Sequence, residues 1–323
     1  MPALLTTAVG SYPKPDYLMH ARNQYRKKEI TRAQLEELER QATREWIEFQ
    51  EQVGLDILVD GEQYRGDMVE YFAEEWNGYA ISGLVRSYGN RYYHKPIIVG
   101  KVKRKGPTTV AWWKYAQGLT KRPVKGMLTG PYTLMDWSFD EYYGSRRKAC
   151  LALARVVRAE AFDLARAGAQ YIQIDEPAAS VVPDEIDLLI EAMGIVTQGL
   201  PAKTISHMCY GDFTTIYPRI LDLPVDQLDL EMANSNYALL KVFEAHPYTK
   251  EIGLGVVDVH NHRLESVDEV KAGIRCALRQ IPAEKIFVDP DCGLKTRTLD
   301  EAKAKLELVT RATREVKQEL GLN

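Results

Sequence analysis

Short apolar runs recur along the chain, separated by longer stretches with helical periodicity. Leu4 to Val9 reads as a first buried strand, closing on Gly10-Ser11, and Asp56 to Asp60 as a second. Val124 to Leu128, Tyr171 to Ile174 and Lys203 to Ser206 continue the series. Gln227 to Leu230, Ile252 to Val259 and Ile286 to Val288 complete it. The runs are almost continuously apolar, which fits parallel strands buried on both faces. Thr31 is placed to cap a long helix reaching about Val53, with Gln34 in the capping-box position. Further helices are predicted over 146–167, 183–198 and 299–320.

Eight strands alternating with helices predict an α/β fold, a (β/α)8 TIM barrel. No linker or change of composition interrupts the series, so residues 1–323 are expected to form a single catalytic domain. The stretch from about 79 to 105 departs from the pattern, being rich in Gly, Tyr, Arg and β-branched residues. It predicts an antiparallel β excursion from the second βα loop, on the face where barrel enzymes place function. A doubly wound open sheet is the alternative, weakened because no G-x-G-x-x-G follows an early strand.

The predicted strand ends are unusually polar. They carry Gly10-Ser11, Asp60-Gly61-Glu62, Asp175-Glu176-Pro177, His207-Met208-Cys209, Glu231, Asp258-Val259-His260 and Asp291-Cys292. Gathering so many ionisable groups costs desolvation, which favours a catalytic face over a structural role.

Overall composition narrows the partners. The chain has 323 residues, 45% hydrophobic and 27% charged, with a formal net charge of −3. That balance favours neither nucleic acid nor an anionic membrane. No apolar stretch approaches the ~18 residues of a membrane span, and no signal peptide is evident, so a cytoplasmic location is expected. Four cysteines in so long a chain do not make a disulfide framework. Cys150 and Cys276 sit in helical patterns and read as core thiols.

Cys209 and Cys292 differ, because they stand at strand ends beside His207 and Glu231. Positions i and i+2 of a strand face one side, so His207 and Cys209 can address one ion. One imidazole, two thiolates and one carboxylate suit tetrahedral zinc. Their negative charge would keep a zinc-bound sulfur nucleophilic, which points to thiol alkylation. The competing reading has buried core thiols and a satisfied core histidine. A structural zinc is disfavoured because no local C-x-x-C knuckle occurs. His260 reads as a mobile acid or base, or else as a loop histidine. Trp137, in a loop after Gly130-Pro131, would suit a flat ligand or simple packing.

Longer motifs carry a resemblance. They include Thr7-Ala8-Val9-Gly10-Ser11-Tyr12-Pro13, Asp67-Met68-Val69-Glu70-Tyr71-Phe72 and Ser87-Tyr88-Gly89-Asn90-Arg91. Lys125 to Pro131, Gln173 to Ala178, His207 to Tyr210 and Asp289 to Arg297 extend it nearly end to end. The chain resembles the catalytic half of the cobalamin-independent methionine synthases, as a short core form without the family's additional N-terminal half. The resemblance implies methyl transfer to homocysteine, giving methionine, with His207, Cys209, Glu231 and Cys292 on zinc. It implies that Val9, Gly10 and Ser11 hold the amino-acid carboxylate and that Glu62 and Asp175 hold its ammonium. Asp67, Arg91 and Trp137 match the methyl-donor pocket, and His260 the proton donor.

Two positions depart from the family pattern: Val181 replaces a glutamate that contacts the pterin, and Tyr92 a smaller cysteine. With the short length, these favour methylcobalamin or a methylated corrinoid protein as donor and partner. Methyltetrahydrofolate is the alternative donor, favoured by retention of His260, Arg91 and Trp137. A coenzyme thiol is an alternative acceptor. A reading of another class is a non-catalytic zinc-binding or corrinoid-docking component.

Overall fold

The structure is a computed structural model that describes residues 3–86 and 92–322. In chain order it begins with β1 (Leu5–Thr6), α1 (Asp16–Arg26), α2 (Arg32–Val53), α3 (Glu70–Glu75), β2 (Asn77–Arg86) and β3 (Tyr92–Lys103). Next come α4 (Val110–Gly118), β4 (Gly126–Thr129), α5 (Pro131–Asp136), β5 (Phe139–Asp140), α6 (Arg146–Ala167) and β6 (Tyr171–Asp175). The chain continues through α7 (Ile186–Thr197), β7 (Lys203–Met208), β8 (Gln227–Leu230) and β9 (Glu251–Gly255). It finishes with α8 (Val267–Leu278), β10 (Ile286–Asp289) and α9 (Leu299–Glu319). Two compact units emerge: Met1–Tyr64 with Trp112–Lys125 and Gln227–Asn323, and Arg65–Ala111 with Gly126–Asp226.

In the first unit, parallel strands run in the order β1-β10-β9-β8. Helix α2 has the expected capping box, Thr31 accepting from Gln34 N, and stops at Gly54 with φ 89°. Glycine takes that left-handed turn without strain. Leu35, Ala42, Trp46, Ile47 and Val53 make its buried stripe.

The expected second strand is reduced to a single parallel bridge, Leu58 to Val124. The cause lies in α2. Buried Gln50 accepts from Val59 N at 2.9 Å and donates to Val59 O at 2.9 Å, replacing a ladder with a side-chain amide. At the bridge Leu58 N donates to Pro123 O and Lys125 N to Leu58 O, both at 2.9 Å, and Pro123 has no N–H to extend the ladder. The first strand is likewise shorter than predicted. Helix α1 was not anticipated: it follows Pro15 and buries only Leu18 and Ala21, too sparse a stripe to show as periodicity.

In the second unit the parallel order is β4-β6-β7. The antiparallel excursion is present, with β2 paired to β3 from Asn77↔Lys103 to Arg86↔Tyr92 and β5 alongside β3. Its return is fixed by Glu160 of α6. That buried carboxylate accepts from Thr109 N at 2.7 Å and Thr108 N at 2.9 Å, and pairs with Arg104. Among the described residues, no helix is long and apolar enough to cross a membrane. Cys150 is buried, as expected, and Cys276 is half-buried.

Candidate active site

The first unit sews three strand-end turns together through its backbone. Tyr12 N donates to Gly61 O at 3.1 Å, and Leu294 N donates to Ser11 O at 2.7 Å. The approach is close: a Cβ on Gly293 would lie 2.2 Å from Ser11 Oγ. Val9, Gly10 and Ser11 are thereby set against the segment that follows Cys292. Glu62 reaches its place through a left-handed backbone, φ 54°, after Gly61 at φ 74°. Its N–H is tied to Asp60 Oδ1 at 3.0 Å. Positive φ at a glutamate is uncommon and clusters at functional turns.

Glu231, almost fully buried, pairs with His260: Oε2 stands 3.0 Å from Nε2. That hydrogen bond raises the His260 pKa above its ordinary value, against the opposing effect of partial burial. His260 is further held by its N–H on Asp258 Oδ1 at 2.7 Å. Next to Cys292, the Asp291 carboxyl accepts three backbone N–H groups, from Met232, Ala233 and Asn234. Burial pushes it up to about 7 against the pull of those donors.

In the second unit, β6 ends at Asp175, which is buried and accepts from Gln173 Nε2 at 2.8 Å. Glu176 turns the other way. It accepts from Tyr132 N at 3.0 Å and from Thr133 N and Oγ1, both at 2.7 Å. Burial raises its pKa to about 7, with Thr133 and Tyr132 opposing. The acid beside Asp175 therefore caps the first turn of α5.

This also corrects the setting of Trp137. It was expected in a loop and instead occupies the C-terminal cap of α5, half-buried, with its N–H on Thr133 O at 3.0 Å. The signal was present in Gly130-Pro131, since proline favours the first turn of a helix. Asp67 is half-buried and spends Oδ1 on Val69 N at 2.8 Å and Glu70 N at 3.2 Å, ahead of α3. Arg91 lies outside the described residues, as does the side chain of Tyr92.

In the second unit His207 lies in β7 and Cys209 directly follows it; in the first unit Cys292 follows β10, and Glu231 follows β8, where it is engaged by His260. One imidazole and two thiols are donors that zinc favours.

Known proteins similar to this chain agree with the motifs. Residues 4–315 match the family described as cobalamin-independent synthase, catalytic domain. Proteins named 5-methyltetrahydropteroyltriglutamate–homocysteine methyltransferase are 42% identical in Streptomyces griseus and 39% identical in Streptococcus suis, each over 99% of this chain. The chain spans only 43% and 44% of those relatives' lengths. A B12-independent methionine synthase from Shewanella sp. W3-18-1, solved with selenomethionine, is similar with a TM-score of 0.89 and 28% identity, covering 98% of this chain and 99% of its own. A methyltransferase from Methanosarcina mazei shares the fold, with a TM-score of 0.65 at 17% identity over 98% of this chain and 94% of its own. The expected α/β TIM-barrel class agrees with the likeness to the Shewanella structure. The expected methylcobalamin donor and corrinoid-protein partner find no support, because the matching family is cobalamin-independent. The chain belongs to the family of cobalamin-independent synthase catalytic domains.

Proposed function

We propose that this chain is a methyltransferase of the methionine synthase type, acting as a single catalytic domain. It transfers the methyl group of a 5-methyltetrahydropteroyl-glutamate to the thiol of homocysteine. The observation that carries this reading is the family match over residues 4–315, in a chain whose strand ends carry His207, Cys209 and Cys292. The donor follows the names of the relatives, and the acceptor agrees with the selenomethionine held by the Shewanella protein, an analogue of the product.

In this reading His207, Cys209 and Cys292 hold zinc, with Glu231 as fourth ligand. Zinc bound there lowers the pKa of a coordinated thiol and supplies a thiolate at neutral pH. The backbone N–H groups of Val9, Gly10 and Ser11 receive the homocysteine carboxylate. Glu62 and Asp175 receive its ammonium, and their fixed backbones supply orientation before reaction. By the family motif, Asp67, Arg91 and Trp137 are assigned to the pterin of the donor. As the sulfur–carbon bond forms, the carbon–nitrogen bond to the pterin breaks and its electron pair stays on nitrogen. His260, held by Glu231 and by Asp258, delivers the proton that this nitrogen takes up.

One assay tests the whole reading. Zinc-loaded protein and a Cys292→Ser variant are given homocysteine with methyltetrahydrofolate carrying one or three glutamates, or with methylcobalamin. Methionine should form from the folates with the parent chain alone, and Cys292→Ser should lose zinc and at least about 100-fold in rate, as loss of a metal ligand implies. Turnover with methylcobalamin but neither folate would refute the donor. Full activity in zinc-free Cys292→Ser would refute the metal.

A further inference from the structure

Asp291 lies in the segment that carries Cys292 and is bonded to the one that follows Glu231. Its side chain is fully buried. Oδ1 accepts from Met232 N and Ala233 N, both at 2.9 Å, and Oδ2 from Asn234 N at 2.8 Å. Three consecutive amides, beginning directly after Glu231, thus converge on one carboxylate. They come from a stretch with neither helix nor strand of its own. The backbone of Asp291 is pinned from the other side, its N–H donating to Val257 O at 3.0 Å. The space is cut to fit, since a Cβ on Gly255 would stand 2.2 Å from Asp291 Oδ1 and 2.8 Å from its Cα.

A buried carboxylate is a costly way to close a turn. An exposed turn leaves its amides to water at no such cost. What Asp291 adds is a rigid link, because the residue after Glu231 is bonded to the residue before Cys292. Groups that orient metal ligands set affinity almost as strongly as the ligands do. We propose that Asp291 is a positioning residue for the metal, fixing Glu231 relative to Cys292 through the 232–234 turn. This role rests on zinc being held by those residues, as proposed above.

The variant Asp291→Asn keeps the outline of the side chain but turns one acceptor into an amide donor that faces an N–H. Zinc affinity is measured by competition with a chromophoric chelator for the parent chain, Asp291→Asn, Glu231→Ala and the double variant. Visible spectra of the cobalt(II)-loaded proteins report ligand geometry alongside. Asp291→Asn should weaken zinc by roughly 10–100-fold and change the cobalt spectrum. Its effect should shrink in the Glu231→Ala background, because both changes act through the same ligand. Unchanged affinity, or a double-variant loss equal to the product of the single losses, overturns the proposal. Should Asp291→Asn not fold, Asp291→Ser removes the charge with less bulk and is judged by the same outcomes. A parent chain that binds no zinc at all would remove the metal reading, a result distinct from a zinc-binding chain indifferent to Asp291.

Discussion

Glu176 in one compact unit and Asp291 in the other each follow a strand, lie fully buried, and accept N–H groups from a segment that follows another strand. Their surroundings differ. Glu176 meets the first turn of α5, where helical backbone already aligns Tyr132 N and Thr133 N, and the Thr133 hydroxyl adds a third donor. Asp291 meets the 232–234 segment, which has no regular structure to align its amides. The first carboxylate trims a shape that the helix would hold anyway. The second creates the shape, so a change there should spread further.

The steric setting makes the same distinction, and the largest effect is expected at Gly255. A Cβ there meets the main chain of Asp291, which cannot swing aside. Gly255→Ala should cost about 3 kcal/mol by overpacking, read from urea unfolding of the zinc-free protein. A cost below about 0.5 kcal/mol would mean that the Asp291 turn is not the rigid element described. An intermediate effect is expected from Glu176→Gln. It should loosen α5 and with it Trp137, raising KM for the methyl donor about tenfold while zinc affinity stays unchanged. A tenfold change equals about 1.4 kcal/mol, the scale of one hydrogen bond left imperfect. Weaker zinc binding in Glu176→Gln would erase the contrast between the two carboxylates. Thr133→Ala should be mildest, at about 1 kcal/mol or less, because two backbone donors remain on Glu176. Differential scanning calorimetry of parent and variant measures it, and a loss above about 2 kcal/mol would show the helix to be as dependent as the turn.

Several elements could be read directly from the chain. The Thr31 and Gln34 capping box, the helix over 146–167 and the strand Gln227–Leu230 stand where their residues indicate. Those signals are local: a side chain meeting its own backbone, or a stripe at helical spacing. The second strand is cut to one bridge as Val59 spends both backbone groups on Gln50, a side chain on a helix, which no alternation along Asp56 to Asp60 could reveal. The corrinoid donor was inferred from chain length and from Val181 and Tyr92, and two substitutions weigh little against a family match over residues 4–315.

The sequence by itself determined the alternation of strands and helices, the supply of donors to the strand ends, and the family. These depend on residue type and short-range spacing. Tertiary structure alone decided that Glu231 faces His260 and that the acids beside Asp175 and Cys292 hold backbone amides. Partners of a buried carboxylate are chosen by whichever donors folding brings within about 3 Å of it, and those donors lie roughly 40 to 60 residues away along the chain.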